Sequence, residues 1–254
     1  MIAQSMATMD GYVFHSTPMV NQHFALHGIS SMATRQLLGE LALAFEQKSG
    51  STAAFESVGG VDAAQRVAKG EVFDVVVLAA DAIDKLICAG HLQAGSRVDL
   101  VHSGVSVAVR QGTPAPDMST SDAVRQAVLQ AATVGYSTGP SGVALLRQFQ
   151  LWGIAEQLNG RLLQARPGVP VASMVASGEV ALGFQQLSEL LNVQGIDIVG
   201  PLPEAIQITT TFSAGLPASL LDDPPRREVV QAFLDFMCSP EADAVKRRHG
   251  MSPV

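Results

Sequence analysis

The chain has 254 residues, 47% of them hydrophobic and 15% charged, with a formal net charge of −7; that balance favours a compact globule over disorder, because apolar burial can offset the entropy of ordering the backbone. No Lys/Arg block and few aromatic residues are present, so a nucleic-acid groove has no source and nucleic acid is not an expected partner. No apolar run approaches the ~20 residues of a membrane span, and the segment before Arg35 carries neither Lys nor Arg nor a continuous apolar core, so no export signal is read.

The length suits one large α/β domain or two modest lobes. Residues 1–22 lack periodicity and read as a loose extension, with Met19 nearer the true start. A short strand from residue 23 then runs into Gly28-Ile29-Ser30-Ser31, and Leu37, Leu38, Leu41, Ala44 and Phe45 follow at helical spacing before Lys48-Ser49-Gly50. The unit recurs: a strand over 52–57, the turn Val58-Gly59-Gly60-Val61, a helix over 62–69 stopped by Gly70. Residues 72–79 form an almost wholly apolar strand, as expected where helices cover both faces of a sheet.

A helix over 80–89 and a strand over 104–110 precede the break Thr113-Pro114-Ala115-Pro116. A second series follows: a helix over 121–130, a strand over 133–137, and the turn Thr138-Gly139-Pro140-Ser141-Gly142 opening a helix with Val143, Leu146 and Phe149. Strands over 162–165, 181–186 and 196–199 and a helix over 169–177 complete it. A strand over 208–216 and two helices end the chain; the first carries the core stripe Val229, Val230, Phe233, Leu234 and Met237, and the second opens on Ser239-Pro240-Glu241. Alternating strands and helices predict an α/β protein of two lobes, 23–103 plus 211–254 and 104–210. Cys88 and Cys238 lie apart in apolar helical stretches and read as buried thiols; with the histidines scattered, no metal or other cofactor is expected.

Three strand-to-helix turns end in small hydroxyl or glycine residues: Ser30-Ser31, Gly59-Gly60, and Thr138 with Ser141-Gly142. Helix N-termini leave backbone N–H groups unpaired and carry partial positive charge, so several converging on one cleft would hold an anion without a lysine. Taken singly, each is an ordinary cap or turn. Their recurrence at successive strand ends, where open α/β sheets bind ligands, marks the candidate site.

The turn Gly28-Ile29-Ser30-Ser31-Met32, the turn at Gly59-Gly60, the stretch Gly70 to Val77, the turn before Gly142, Ala181-Leu182-Gly183-Phe184 and the ending Phe233 to Pro240 together resemble the molybdate-binding (ModA-like) receptors of ABC transporters. The resemblance implies a two-lobed, type II periplasmic-binding-protein fold, each lobe a mostly parallel sheet flanked by helices, enclosing an oxyanion between the lobes. It places Ser30 or Ser31, Ser141 and the backbone of Val169 at donor positions, sets Gly60 and Val61 where a serine is usual, and sets Gln186 where a tyrosine is usual. With those side-chain donors replaced, the amides of Gln185 and Gln186 would serve a carboxylate as well as molybdate, and Arg35 and Arg166 are the basic residues placed to contact one.

The expected function is therefore a solute-binding protein for a small oxyanion or organic carboxylate, with an ABC permease as a further partner. The resemblance implies a periplasmic location; the missing export signal implies a cytoplasmic one if Met1 is the true start. The alternative is an isomerase similar to aconitate isomerase on the same scaffold, with Asp62 or Glu56 as base and the serines as donors. An effector module like those of LysR-type regulators ranks last, because no DNA-reading domain precedes the first lobe.

Overall fold

A computed structural model describes residues 24–166 and 168–254. The loose extension read over 1–22, the start at Met19, and His15 and His23 lie outside the described residues.

The first lobe starts with β1 (Ala25–Ser31), α1 (Arg35–Ser49), β2 (Thr52–Val58), α2 (Gly60–Ala68), β3 (Val75–Ala79) and α3 (Ala80–Cys88). The three strands are parallel, β1 lying between β2 and β3. β4 (Val98–Arg110) is the long connection between lobes: residues Val98 to Gly104 pair antiparallel with β9 (Thr209–Gly215), which also pairs with β3. From Val105 onward, β4 pairs with the second lobe instead.

That lobe contains α4 (Ser121–Gln130), β5 (Val134–Tyr136), α5 (Pro140–Leu151), β6 (Leu162–Gln164), α6 (Val171–Ser177), β7 (Leu182–Gln186), α7 (Leu187–Leu190) and β8 (Ile196–Pro201). Here β5 lies parallel to β6 and β7, and β4 pairs antiparallel with β7 and β8. Both parallel triplets are thus joined through antiparallel crossing strands. The chain returns through β9 to α8 (Pro224–Met237), α9 (Pro240–Arg248) and the short β10 (Met251–Pro253), which pairs with β4.

β3 shows why an uninterrupted apolar run is needed. Val75 and Val77 pack with Leu38, Leu41, Phe45 and Phe233 on one side of the sheet, while Val76 and Leu78 pack with Ala63, Val67, Ile83 and Leu86 of α2 and α3 on the other. Side chains alternate across a strand, so only a strand covered on both faces buries five in succession. Each such Val or Leu contributes about 1.5–3 kcal/mol.

Three local expectations are corrected. The strand read over 104–110 begins at Val98, because the polar residues that hid its first half are satisfied across the ladder: Asp99 Oδ1 accepts from Ser213 Oγ at 2.6 Å, and His102 Nδ1 meets Thr211 Oγ1 at 3.0 Å. The strand read from residue 72 begins at Val75; Val72 is exposed, and Asp74 folds back to accept the His27 N–H at 2.7 Å. Cys88 and Cys238 are free and exposed, not buried, since Cys88 ends α3 and Cys238 caps α8, each past the last inward-facing position.

Candidate functional site

A cavity of about 800 Å³ opens between the lobes. Its walls are strand ends and helix starts: Ser31 at the end of β1, Gly59, Gly60 and Val61 at α2, Ala79 and Asp81 at α3, Ser137 through Ser141 at α5, and Gln185 and Gln186 at the end of β7. Thr210 and Phe212 of the crossing strand β9 also line it. This is the crevice outside the carboxyl ends of the strands where open α/β sheets take ligands.

The donors are built in layers. Ser31 is only 7% exposed, and its Oγ has no hydrogen-bond partner among the described residues. The α2 start lies close beside Ser31: a Cβ on Gly60 would sit 3.7 Å from Ser31 Cβ, an ordinary contact. Among the described residues neither α2 nor α5 has a side-chain cap; at α5 Pro140 has no N–H and the Gly142 N–H is bonded to the Gly139 carbonyl, so the backbone donors at the cavity wall are the start of α2 and the Ser141 N–H. Across the cleft, the Ser137 and Ser141 hydroxyls share a 3.1 Å hydrogen bond. Gly142 lies just behind them; a Cβ there would be 1.9 Å from the Ser137 carbonyl oxygen, so this close approach of turn and helix requires glycine.

The end of β7 supplies a different chemistry. Gln185 Oε1 accepts from the Ala172 N–H at 3.0 Å, and its Nε2 donates to Glu189 Oε1 at 3.0 Å. Gln186 Nε2 donates to Thr210 Oγ1 at 2.8 Å, tying β7 to β9, and its buried Oε1 has no partner among the described residues. Glu189, half-buried in the cavity wall, has its carboxyl pushed up to about 7 by burial, with the Gln185 hydrogen bond pulling weakly the other way.

Of the residues singled out from sequence, Ser31, Gly59, Gly60, Val61, Thr138, Ser141, Val169, Gln185, Gln186 and Arg166 line this one cavity. Ser30, Gly142 and Arg35 are not part of its lining. Ser30 is fully buried in the sheet, where its hydroxyl meets Ser57 Oγ at 2.8 Å. Both suggested bases also fall outside. Glu56 lies on β2 and is held by Arg66, whose guanidinium keeps the carboxyl below its ordinary range, and Asp62 is exposed in the first turn of α2, its Oδ2 beside Gly59.

Sequence reasoning missed Lys85, Arg147 and Glu189, all in the lining. Lys85 shares a helical face with Asp81 and Ala82, and Arg147 follows Val143 and Ala144 at helical spacing, so both were accessible once the first turns of α3 and α5 were assigned to the site. Glu189 stands three residues past the end of β7, a position that the strand-end rule reaches.

Two lobes joined by crossing strands, with donors gathered at strand ends around one cleft, define a receptor for a small solute. The family model for bacterial extracellular solute-binding proteins matches residues 26–252, and the chain belongs to that family. It is 38% identical over 233 residues to an aconitate isomerase of a Pseudomonas species, an alignment covering 89% of this chain and 87% of that protein. Among solved structures, the fold matches the periplasmic molybdate-binding protein of Azotobacter vinelandii with a TM-score of 0.73 and 20% identity over 90% of this chain and 99% of that one. The sulfate-binding protein of Mycobacterium tuberculosis matches with a TM-score of 0.73 and 16% identity, covering 91% of this chain and 88% of its own. The type II binding-protein architecture and the membership of a solute-binding family thus agree with the sequence reading. No helix among the described residues is long and apolar enough to cross a membrane.

Proposed function

We propose that the protein binds a small organic polycarboxylate between its lobes, as a receptor that hands its ligand to an ABC permease. The observation that carries this reading is the Ser31 hydroxyl, buried in the cavity wall without a partner among the described residues. A buried hydroxyl left unpaired costs about 1–3 kcal/mol, and a ligand oxygen removes that cost. Ser31, Ser141 with its hydroxyl and backbone N–H, and the N–H groups starting α2 hold one carboxylate in this scheme. Arg166 and Arg147 are the cations for others.

An organic ligand is favoured over a bare inorganic oxyanion by the rest of the cavity. Its volume of about 800 Å³ falls in the ~300–1,000 Å³ range of organic-ligand pockets. Ala64, Ala68, Ala82, Ala89 and Val143 give it an apolar wall suited to a carbon skeleton. The relevant experiment is a thermal-shift panel of molybdate, sulfate, citrate, tricarballylate and trans-aconitate. A ligand at 100 times its Kd adds about 2.7 kcal/mol, or about 5–10 °C for a protein of this size. A shift of that size with a tricarboxylate supports the reading, and one with molybdate or sulfate alone refutes it.

A second reading, isomerisation of an unsaturated tricarboxylate in the same cleft, is favoured by the 38% identity to an aconitate isomerase and by a carboxyl near neutrality in the cavity wall. Mixing trans-aconitate with the protein and following its ultraviolet absorbance tests this. No change in the spectrum ends it.

A further inference from the structure

We infer that Glu189 is the proton carrier of the cleft: it takes the allylic proton of a bound unsaturated polycarboxylate and returns it to the far end of the allylic system. The inference rests on the second reading above. Its basis is an arrangement that binding alone leaves unexplained, a carboxyl placed in the wall of an anion cleft.

Geometry makes that carboxyl directional. The Ala172 N–H fixes the Gln185 amide at one end, so its NH2 must point at Glu189 Oε1. Glu189 Oε2 is left with no partner among the described residues, on a side chain that lines the cavity. Gln185 is thus a positioning residue and Glu189 the catalytic one.

The chemistry balances within ligand and side chain. The Glu189 carboxylate forms an O–H bond as the ligand's allylic C–H bond breaks, and the released electron pair spreads through the double bond onto a ligand carboxylate. Donors that hold those oxygens, Ser31 and Ser141 among them, stabilise the spread charge. The new O–H then delivers its proton to the other terminal carbon of the allylic system, a C–H bond forms, the double bond ends one position along, and Glu189 is a carboxylate again. No electrons leave the ligand.

Efficient proton transfer needs a group that titrates near the working pH, and burial pushes the Glu189 carboxyl up to about 7. The charged groups around it do not set this value. β4, β7 and the turn Met32–Thr34 pack against α7; their ionisable side chains are Asp99, His102 and Arg110. Asp99 is held by Arg97 and His102 by Thr211, while Arg110 lies beside Gly178. Asp81, Lys85, His91, Arg147 and Arg166 line the same cavity, and among the described residues Gln185 is the side chain that acts on the Glu189 carboxyl besides burial.

The test compares wild type and Glu189→Gln with trans-aconitate in D2O, reading double-bond migration and deuterium entry at carbon by proton NMR, with the ligand-induced melting shift as the binding control. Wild type should interconvert the isomers, with kcat/KM rising to a plateau through a midpoint at about 6–8, as a base near neutrality requires. Glu189→Gln should keep the melting shift and lose about 10²–10⁴-fold in turnover and deuterium entry. An active wild type matched by Glu189→Gln overturns the assignment and leaves the isomerase reading standing. A wild type that neither migrates the double bond nor exchanges deuterium overturns both. Should Glu189→Gln fold poorly, the wild-type pH profile decides alone: activity without that midpoint overturns the role of Glu189.

Discussion

Gln185 Nε2 donates to Glu189 Oε1 across 3.0 Å while Gln185 Oε1 is held by the Ala172 N–H. One amide therefore links the first turn of α6 to the carboxyl in the cleft wall.

The lowered acidity of Glu189 makes stability depend on pH. Its folded value of about 7 lies above the ordinary 4.5, so the unfolded chain releases this proton first. Stability is undiminished below about 4.5, falls as pH rises, and levels off above about 7. At ~1.4 kcal/mol per unit, the loss is at most about 3.5 kcal/mol. Urea unfolding of Glu189→Gln against wild type should show the variant gaining on wild type between pH 5 and 8. A difference that does not vary with pH contradicts this.

Ser31→Ala should separate stability from binding. The hydroxyl has no partner among the described residues, so its removal should leave the melting temperature unchanged or higher. Loss of a hydrogen bond to a charged ligand oxygen costs about 1.5–3 kcal/mol, a weakening of about 10–100-fold in titration calorimetry.

Ser30→Ala should do the reverse. Ser30 shares its hydrogen bond with Ser57 inside the sheet, so the substitution should cost about 1 kcal/mol of stability and leave affinity within about twofold. A large loss of affinity would place Ser30 in the site.

Gly142→Ala should be severe, because the new methyl would meet the Ser137 carbonyl oxygen at 1.9 Å. Separating α5 from the turn should cost about 1–3 kcal/mol or more in urea unfolding and displace the Ser137–Ser141 pair, so the ligand-induced melting shift should fall as well.

Much of the scaffold was legible. The run Val75 to Ala79, the glycine stops and the Pro-led final helix express local rules, and the structure follows them. The first half of β4 was not legible, because Asp99 and His102 look like loop residues until the neighbouring strand supplies Ser213 and Thr211. At the site, strand-end turns pointed to Ser31, Gly60 and Ser141, but adjacent serines could not be told apart: which of Ser30 and Ser31 faces the cavity depends on how β1 meets the turn that follows it. Glu189 was missed for a related reason. A carboxylate in a short helix looks solvated until tertiary packing surrounds it, and burial is the largest influence on its chemistry, opposed by the Gln185 hydrogen bond.

The most direct measurement is titration calorimetry of trans-aconitate, tricarballylate, molybdate and sulfate into wild type and into the Ser31→Ala/Ser141→Ala double variant. A tricarboxylate should bind wild type more tightly than either inorganic anion, and the double variant should bind it at least about 100-fold more weakly, as loss of two charge-assisted hydrogen bonds requires. Tighter binding of molybdate or sulfate, or an undiminished tricarboxylate affinity in the double variant, would contradict the account.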